Sequence, residues 1–343
     1  MNERKRSKAF DILRVIAMAM IITHHCVINS FGLQENLLSN TLHLSNLQMG
    51  ILMMINSFVI IGVNIFFLIS GYFGIKRNWK KIIAILIEIY IIYDLITIIG
   101  IRLGYVIWNK ATILGLINPL SIYWFLLVYI IILFISPILN KIIDNTKEKE
   151  YKKEIIIILC IFSIYSFFCD VGISIQGGYT LIWGIILYLL GGFIKKFKIQ
   201  NKNGLLIYGL FTFINGIMAI IFWKFHHPFI SWKLYNYNNP LIITASLGLF
   251  TYINSLTDSH KESKGLSFFA TSTLMTYLLH SSCWLTIFRN QPIQKMIHMG
   301  YFRLAIILLP LYVGIIYIMC SCVNIIYQKT IQKKINKWLQ KIK

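Results

Sequence analysis

The sequence predicts an all-α, polytopic membrane protein of about ten transmembrane helices with both termini cytoplasmic, and three observations carry that prediction. Hydrophobic residues fill 57% of the 343 positions and charged residues 13%, with a mean hydropathy of +0.69. Such a balance suits a chain whose solvent is largely hydrocarbon. Apolar runs of about 20 residues recur along the chain, the length a helix needs to cross a bilayer core. Lysine and arginine fall in short clusters between these runs, which is how topology is written into a membrane protein.

Taken in order, the predicted spans are 10–29, 51–73, 81–101, 122–140, 155–169, 179–194, 204–223, 240–256, 266–288 and 304–327, the fifth and sixth being the shortest. With the N-terminus inside, the inner segments hold four, four, five, four, two and six basic residues, among them Arg4, Lys5, Arg6, Lys8, Lys261, Lys264 and Lys343. The outer segments hold seven. That asymmetry sets the orientation. The net charge of +21 therefore reflects topology and not a nucleic-acid surface. The basic N-terminus resembles a signal peptide, but Arg14, two histidines and the lack of a small-x-small site argue for a retained anchor. With no repeat and no loop beyond about 20 residues, the chain reads as one membrane domain over 1–343.

Outside the spans, segment 111–121 is too short to cross, and Gly115 and Pro119 suggest an interfacial or re-entrant piece. Tyr123, Trp124, Trp232 and Tyr235 lie near the predicted outer boundary and read as interface anchors more readily than as sugar-stacking platforms. Six cysteines (Cys26, Cys160, Cys169, Cys283, Cys320, Cys322) lack metal-ligand spacing. They read as small core residues, with neither a disulfide framework nor a metal site expected.

The first span carries the chemistry. Asp11, Arg14, His24 and His25 all lie in it, and ionisable groups at membrane depth mark function by default. Arg14 and His25 are eleven residues apart, which returns them to nearly one helix face with a separation of about 16 Å. Asp11 is placed to pair with Arg14 one turn on. His24 points about 100° away from His25. Helical rise sets His25, Asp94 in the third span and His280 in the ninth at similar heights, about 21 Å above the inner boundary for the two histidines. Arg14, Glu88, Ser70 and Gly71 stay in the inner half.

The upper group suits general-base chemistry: His25 takes a proton from a hydroxyl, and Asp94 or His280 orients it. The lower group suits anion binding, with Arg14 joined by Lys76, Arg77, Lys80 and Lys81 at the inner mouth holding phosphate. The plainer alternatives are a buried His25 bonded to a neighbouring helix and a Lys76–Lys81 cluster that serves topology alone.

These residues resemble the acyltransferase-3 family of integral membrane proteins. Asp11-Ile-Leu-Arg14, then ten residues, then His25 is similar to the family's first-helix arginine-x10-histidine signature. Gly62-Val-Asn-Ile-Phe-Phe-Leu-Ile-Ser-Gly-Tyr-Phe73 resembles its second-helix motif, with the basic run Lys76 to Lys81 following. Tyr123-Trp-Phe-Leu126 and Thr276-Tyr-Leu-Leu-His280 resemble two later motifs, so the likeness runs from residue 7 to about 325. Asn64 stands where many members carry aspartate, and the basic loop lacks a proline that often follows it.

The resemblance implies a multi-pass protein of the cell membrane, in contact with lipid, that takes an acyl group from cytoplasmic acetyl-CoA or another short acyl-CoA. The acceptor it implies is a hydroxyl of a cell-surface or capsular polysaccharide, or of its lipid-linked precursor, toward the outer face. His25 would be the essential histidine, with Arg14 binding or orienting the donor. Ser70 becomes a donor-side candidate, with close helix packing an equal explanation of the Ser-Gly pair. A transporter or flippase for a surface glycan is the alternative, disfavoured by the lack of related halves.

Overall fold

The computed structural model describes residues 7–39, 44–169, 175–256, 264–282 and 284–341. Arg4, Lys5, Arg6, Lys261, Cys283, Lys343 and the side chain of Lys264 lie outside the described residues. The protein is 84% helical, and the described residues include no strand. Helices of eight residues or more are, in order, α1 (Lys8–His25), α2 (Asn46–Val59), α3 (Gly62–Phe73), α4 (Trp79–Arg102), α5 (Lys110–Ile117), α6 (Trp124–Asn145) and α7 (Glu148–Leu159). They continue with α8 (Leu181–Lys196), α9 (Gly204–Lys224), α10 (Pro240–Ser255), α11 (Lys264–Thr271), α12 (Thr273–His280), α13 (Leu285–His298), α14 (Phe302–Tyr327) and α15 (Lys333–Lys341).

Among the described residues six helical runs are long and apolar enough to cross a membrane: Lys8–Ser30, Asn46–Phe73, Trp79–Arg102, Trp124–Asn145, Gly204–Lys224 and Phe302–Lys341. Pro240–Ser255 is a shorter apolar helix. The chain is an all-α polytopic membrane protein.

Local sequence explains where these helices begin and end. Ser45 and Gln48 form a capping box on α2, each side chain bonded to the other's backbone N–H. Asn78 accepts from the Lys81 N–H and starts α4; Asn109 does the same for α5 through Thr112. Gly74, at φ +59°, closes α3 in the left-handed conformation that a side chain disfavours. Segment 111–121 forms α5 and a short 3-10 turn, Pro119–Ser121, so it is helical but does not span.

The chain divides into two units. Unit 1 comprises Met1–Ile75 and Ser136–Ser267, and unit 2 comprises Lys76–Ile135 and Phe268–Lys343. In unit 1, α3 packs most extensively on α8, and α9 on α10. The α3–α8 crossing is close because two glycines meet backbone across it. A Cβ on Gly71 would overlap the Tyr188 carbonyl, and one on Gly191 would overlap that of Leu68. Small residues at a crossing let helix backbones approach in lipid, where no hydrophobic drive holds helices together. This packing accounts for Gly71 in the Ser-Gly pair. Gly71→Leu is expected to destabilise the protein by more than the roughly 1–3 kcal/mol of ordinary overpacking, because the clash is with backbone. Thermal melting in detergent reads it as a lowered midpoint.

In unit 2, α12 packs on α14, and Asn324 of α14 donates to Ser272 Oγ at 3.0 Å. Ile335 and Leu339 of α15 are buried while Lys333, Lys334, Lys337 and Lys341 are exposed. The predicted ninth span, 266–288, is a correction: three helices, α11, α12 and the start of α13, occupy it. Ser272 Oγ donates to the Phe268 carbonyl and Ser282 Oγ to that of Leu279, and hydroxyls that bond local carbonyls compete with a continuous helix. The height assigned to His280 assumed an unbroken rise and does not hold.

Two predicted interface anchors are also corrected. Tyr123 and Tyr235 are 1% and 3% exposed and donate to the carbonyls of Leu278 and Met53 respectively. A buried Tyr finds a hydrogen-bond partner for its hydroxyl in this way. Burial raises the Tyr235 phenol pKa, so the hydroxyl stays a donor.

Candidate functional site

Helix α1 forms because residues 8–25 are rich in Ala, Met and Ile and free of Gly and Pro. Its first turns carry the anion-binding candidate. Arg14 donates from a guanidinium nitrogen to Asp11 Oδ1 at 2.7 Å, with Asp11 buried and Arg14 part-buried. The guanidinium also lies over the Phe73 ring, 5.3 Å from its centroid. Phe10 packs on Tyr72, Phe73 and Phe250, with ring centroids 4.6, 5.0 and 5.6 Å away. The first-helix and second-helix motifs therefore meet in one aromatic cluster of unit 1. Lys195 of α8 joins its edge, with Nζ 5.8 Å from the Tyr72 ring centroid. By its position in the sequence Lys195 is simply one of the four basic residues of the inner segment 195–203. Its place at the end of α8 gave no signal of this contact.

Ser70 Oγ donates to the Phe66 carbonyl at 2.8 Å, one turn back on its own helix. Asn64 is fully buried; its Nδ2 donates to the Tyr237 carbonyl and Ser246 Oγ, and its Oδ1 accepts from Trp183 Nε1. Aspartate could not donate to that carbonyl, so Asn64 ties three segments of unit 1 together.

The other end of α1 divides the two histidines. His24 is buried, with Nδ1 2.6 Å from Asn56 Oδ1 of α2. His25 is part-exposed, its ring centroid 5.6 Å from that of His24. Directly after His25 the helix widens into a π-turn over Cys26–Ser30, closed by Phe31 N–H to Cys26 O at 2.9 Å. Such turns recur at functional sites. Asn56, which sequence reasoning missed, is 0% exposed, and its Nδ2 has no hydrogen-bond partner. An unpaired buried donor of this kind costs about 1–3 kcal/mol.

Asp94, His280 and the basic loop belong to unit 2, whereas Arg14 and His25 belong to unit 1. His280 is buried. Its Nδ1–H donates to the Thr276 carbonyl at 2.6 Å, Nε2 pairs with Ser281 Oγ at 3.1 Å, and its own carbonyl accepts from Arg289 at 2.8 Å. Both ring nitrogens are thereby engaged within the unit. Tyr277 packs against Tyr123, which brings the two later motifs together. Asp94 is part-exposed, with Oδ1 buried and unpartnered. Lys76, Arg77, Lys80 and Lys81 are exposed around the start of α4, and Arg77 lies over the Trp79 ring at 5.5 Å. Cations beside a helix N-terminus reinforce its positive end and favour an anion there.

A family model described as an acyltransferase domain matches residues 7–327. The chain belongs to the acyltransferase-3 family. Neither a curated protein nor a solved structure matches it. As an acyltransferase-3 protein it is a membrane acyltransferase, and the polar residues at the two ends of α1 lie within the matched region.

Proposed function

We propose that this acyltransferase moves an acyl group, acetyl in the simplest case, from cytoplasmic acyl-CoA to a hydroxyl of a cell-surface polysaccharide or its lipid-linked precursor at the cell membrane. The division of labour along α1 carries the reading: a cation held in an aromatic cluster at one end, and a part-exposed histidine at the other. The intervening distance of about 16 Å is comparable with a pantetheine arm. The donor's phosphate end stays with Arg14, while the thioester reaches toward His25; Arg77, Lys80 and Lys81 are kept as anion-binding candidates of unit 2 on their own. Lys195 adds a further cation beside Tyr72, and Ser70 remains a weaker donor-side candidate because its hydroxyl bonds its own helix.

In the chemical step His25 accepts the proton of the acceptor hydroxyl as the oxygen attacks the thioester carbon. A C–O bond forms, the carbonyl π pair moves onto oxygen, and its return expels the CoA thiolate. The proton held by His25 then passes to that thiolate, so the products are an ester and free CoA.

Purified protein in liposomes, supplied with acetyl-CoA labelled in its acetyl group, tests the proposal. The expected result is release of free CoA with label on added glycan. No turnover with any short acyl-CoA, while the same preparation moves labelled glycan across the bilayer, would replace the proposal with an exporter.

A further inference from the structure

Unit 1 meets the needs of its buried amides almost completely. Asn64 uses both ends of its amide, Asn215 donates to Ser57 Oγ, and Asn239 donates to Asn215 Oδ1 and the Leu234 carbonyl. Two amides break the pattern: Asn238, whose Oδ1 is unpaired while its Nδ2 donates to the Phe162 carbonyl, and Asn56, which lies beside the histidine pair. Among the described residues the Asn56 Nδ2 is the one buried side-chain nitrogen without a partner, although the other end of the same amide meets His24 at 2.6 Å. Turning the amide over leaves the anomaly in place, exchanging an orphan donor for an orphan acceptor. In hydrocarbon, where water does not satisfy such a group, an unpaired amide kept next to reactive imidazoles points to a ligand atom.

We infer that Asn56 is a second catalytic residue: its Nδ2–H donates to the acyl carbonyl oxygen as that oxygen gains negative charge. This rests on the acyl-transfer reading above. His24 then has a positioning task, holding the Asn56 carboxamide by its oxygen so that the N–H₂ end faces the substrate. The donor must sit where charge develops, and fixing it in advance through α1 and α2 removes reorganisation from the reaction. Asn56 takes no proton and forms no covalent bond; the proton inventory of the transfer is unchanged.

The test compares acetyl-CoA with its dithioester analogue, in which sulfur, a poor hydrogen-bond acceptor, replaces the carbonyl oxygen. Asn56→Ala and Asn56→Leu are expected to lower kcat for acetyl-CoA by about 10²–10³-fold with KM little changed, and to lower kcat for the dithioester far less. The oxygen-to-sulfur rate ratio then collapses toward that of the uncatalysed reaction. His24→Ala, which removes the partner and not the donor, is expected to reduce the ratio only in part. Equal losses with both donors would mark Asn56 as structural and overturn the inference, as would undiminished activity of Asn56→Ala. Should the Asn56 variants not elute from size exclusion as wild type does, the wild-type ratio decides alone, since a value no higher than the uncatalysed one excludes a donor at the carbonyl oxygen. Absence of wild-type turnover overturns the acyl-transfer reading itself, an outcome separate from turnover that ignores Asn56.

Discussion

His25→Ala is expected to abolish acyl transfer, lowering turnover by about 10²–10⁴-fold, the range that a positioned general base contributes. Donor affinity should remain near wild type, because Arg14 and its aromatic surroundings lie at the opposite end of α1. Isotope release from labelled acetyl-CoA measures the first quantity and equilibrium binding of CoA the second. His24 should not rescue the variant: its Nδ1 is held at 2.6 Å by Asn56 and its ring is buried. Wild-type activity in His25→Ala would remove the histidine from the chemistry altogether.

Loss of Arg14 is the second large effect, and its cleanest form is a pair of substitutions. Arg14→Ala alone would leave the Asp11 carboxylate, 4% exposed, without its 2.7 Å partner. Breaking a buried ion pair from one side is strongly destabilising, so reduced activity could reflect a damaged fold. Asp11→Asn with Arg14→Ala removes both charges. That double variant is expected to elute and melt close to wild type while raising the donor KM by about 10–100-fold, corresponding to the roughly 1.5–3 kcal/mol of a charged hydrogen bond. Arg14→Lys should fall between, since it keeps the charge and loses the planar fork. A donor KM unchanged in the double variant would move phosphate binding away from Arg14.

What could be read from sequence follows how locally each feature is determined. The Asp11–Arg14 pair was legible because three residues along a helix fix the geometry. The separation of His24 from His25 was likewise legible as an angle. The partner that gives His24 its role, Asn56, was not, because it lies 32 residues away and meets α1 only through packing of α2. Apolarity summed over 266–288 suggested one span, whereas the break at Ser272 involves Asn324, 52 positions on. Tyr123 and Tyr235 had the composition of an interfacial belt. Only the folded chain shows that other segments cover them. For the Ser-Gly pair the sequence leaves packing and chemistry equal, and the Tyr188 carbonyl against Gly71 accounts for the glycine by packing.

The reciprocal glycine contacts of α3 and α8 also bear on motion. Each helix has its glycine against a carbonyl of the other, so sliding either by one residue would drive a side chain into backbone. The two helices are locked in register like the jaws of a ratchet with a single tooth. The Tyr72–Phe73 end of α3, and with it the cradle around Arg14, is therefore a fixed post. During a catalytic cycle the travel between the two ends of α1 falls to the flexible arm of the donor and to elements outside that locked pair.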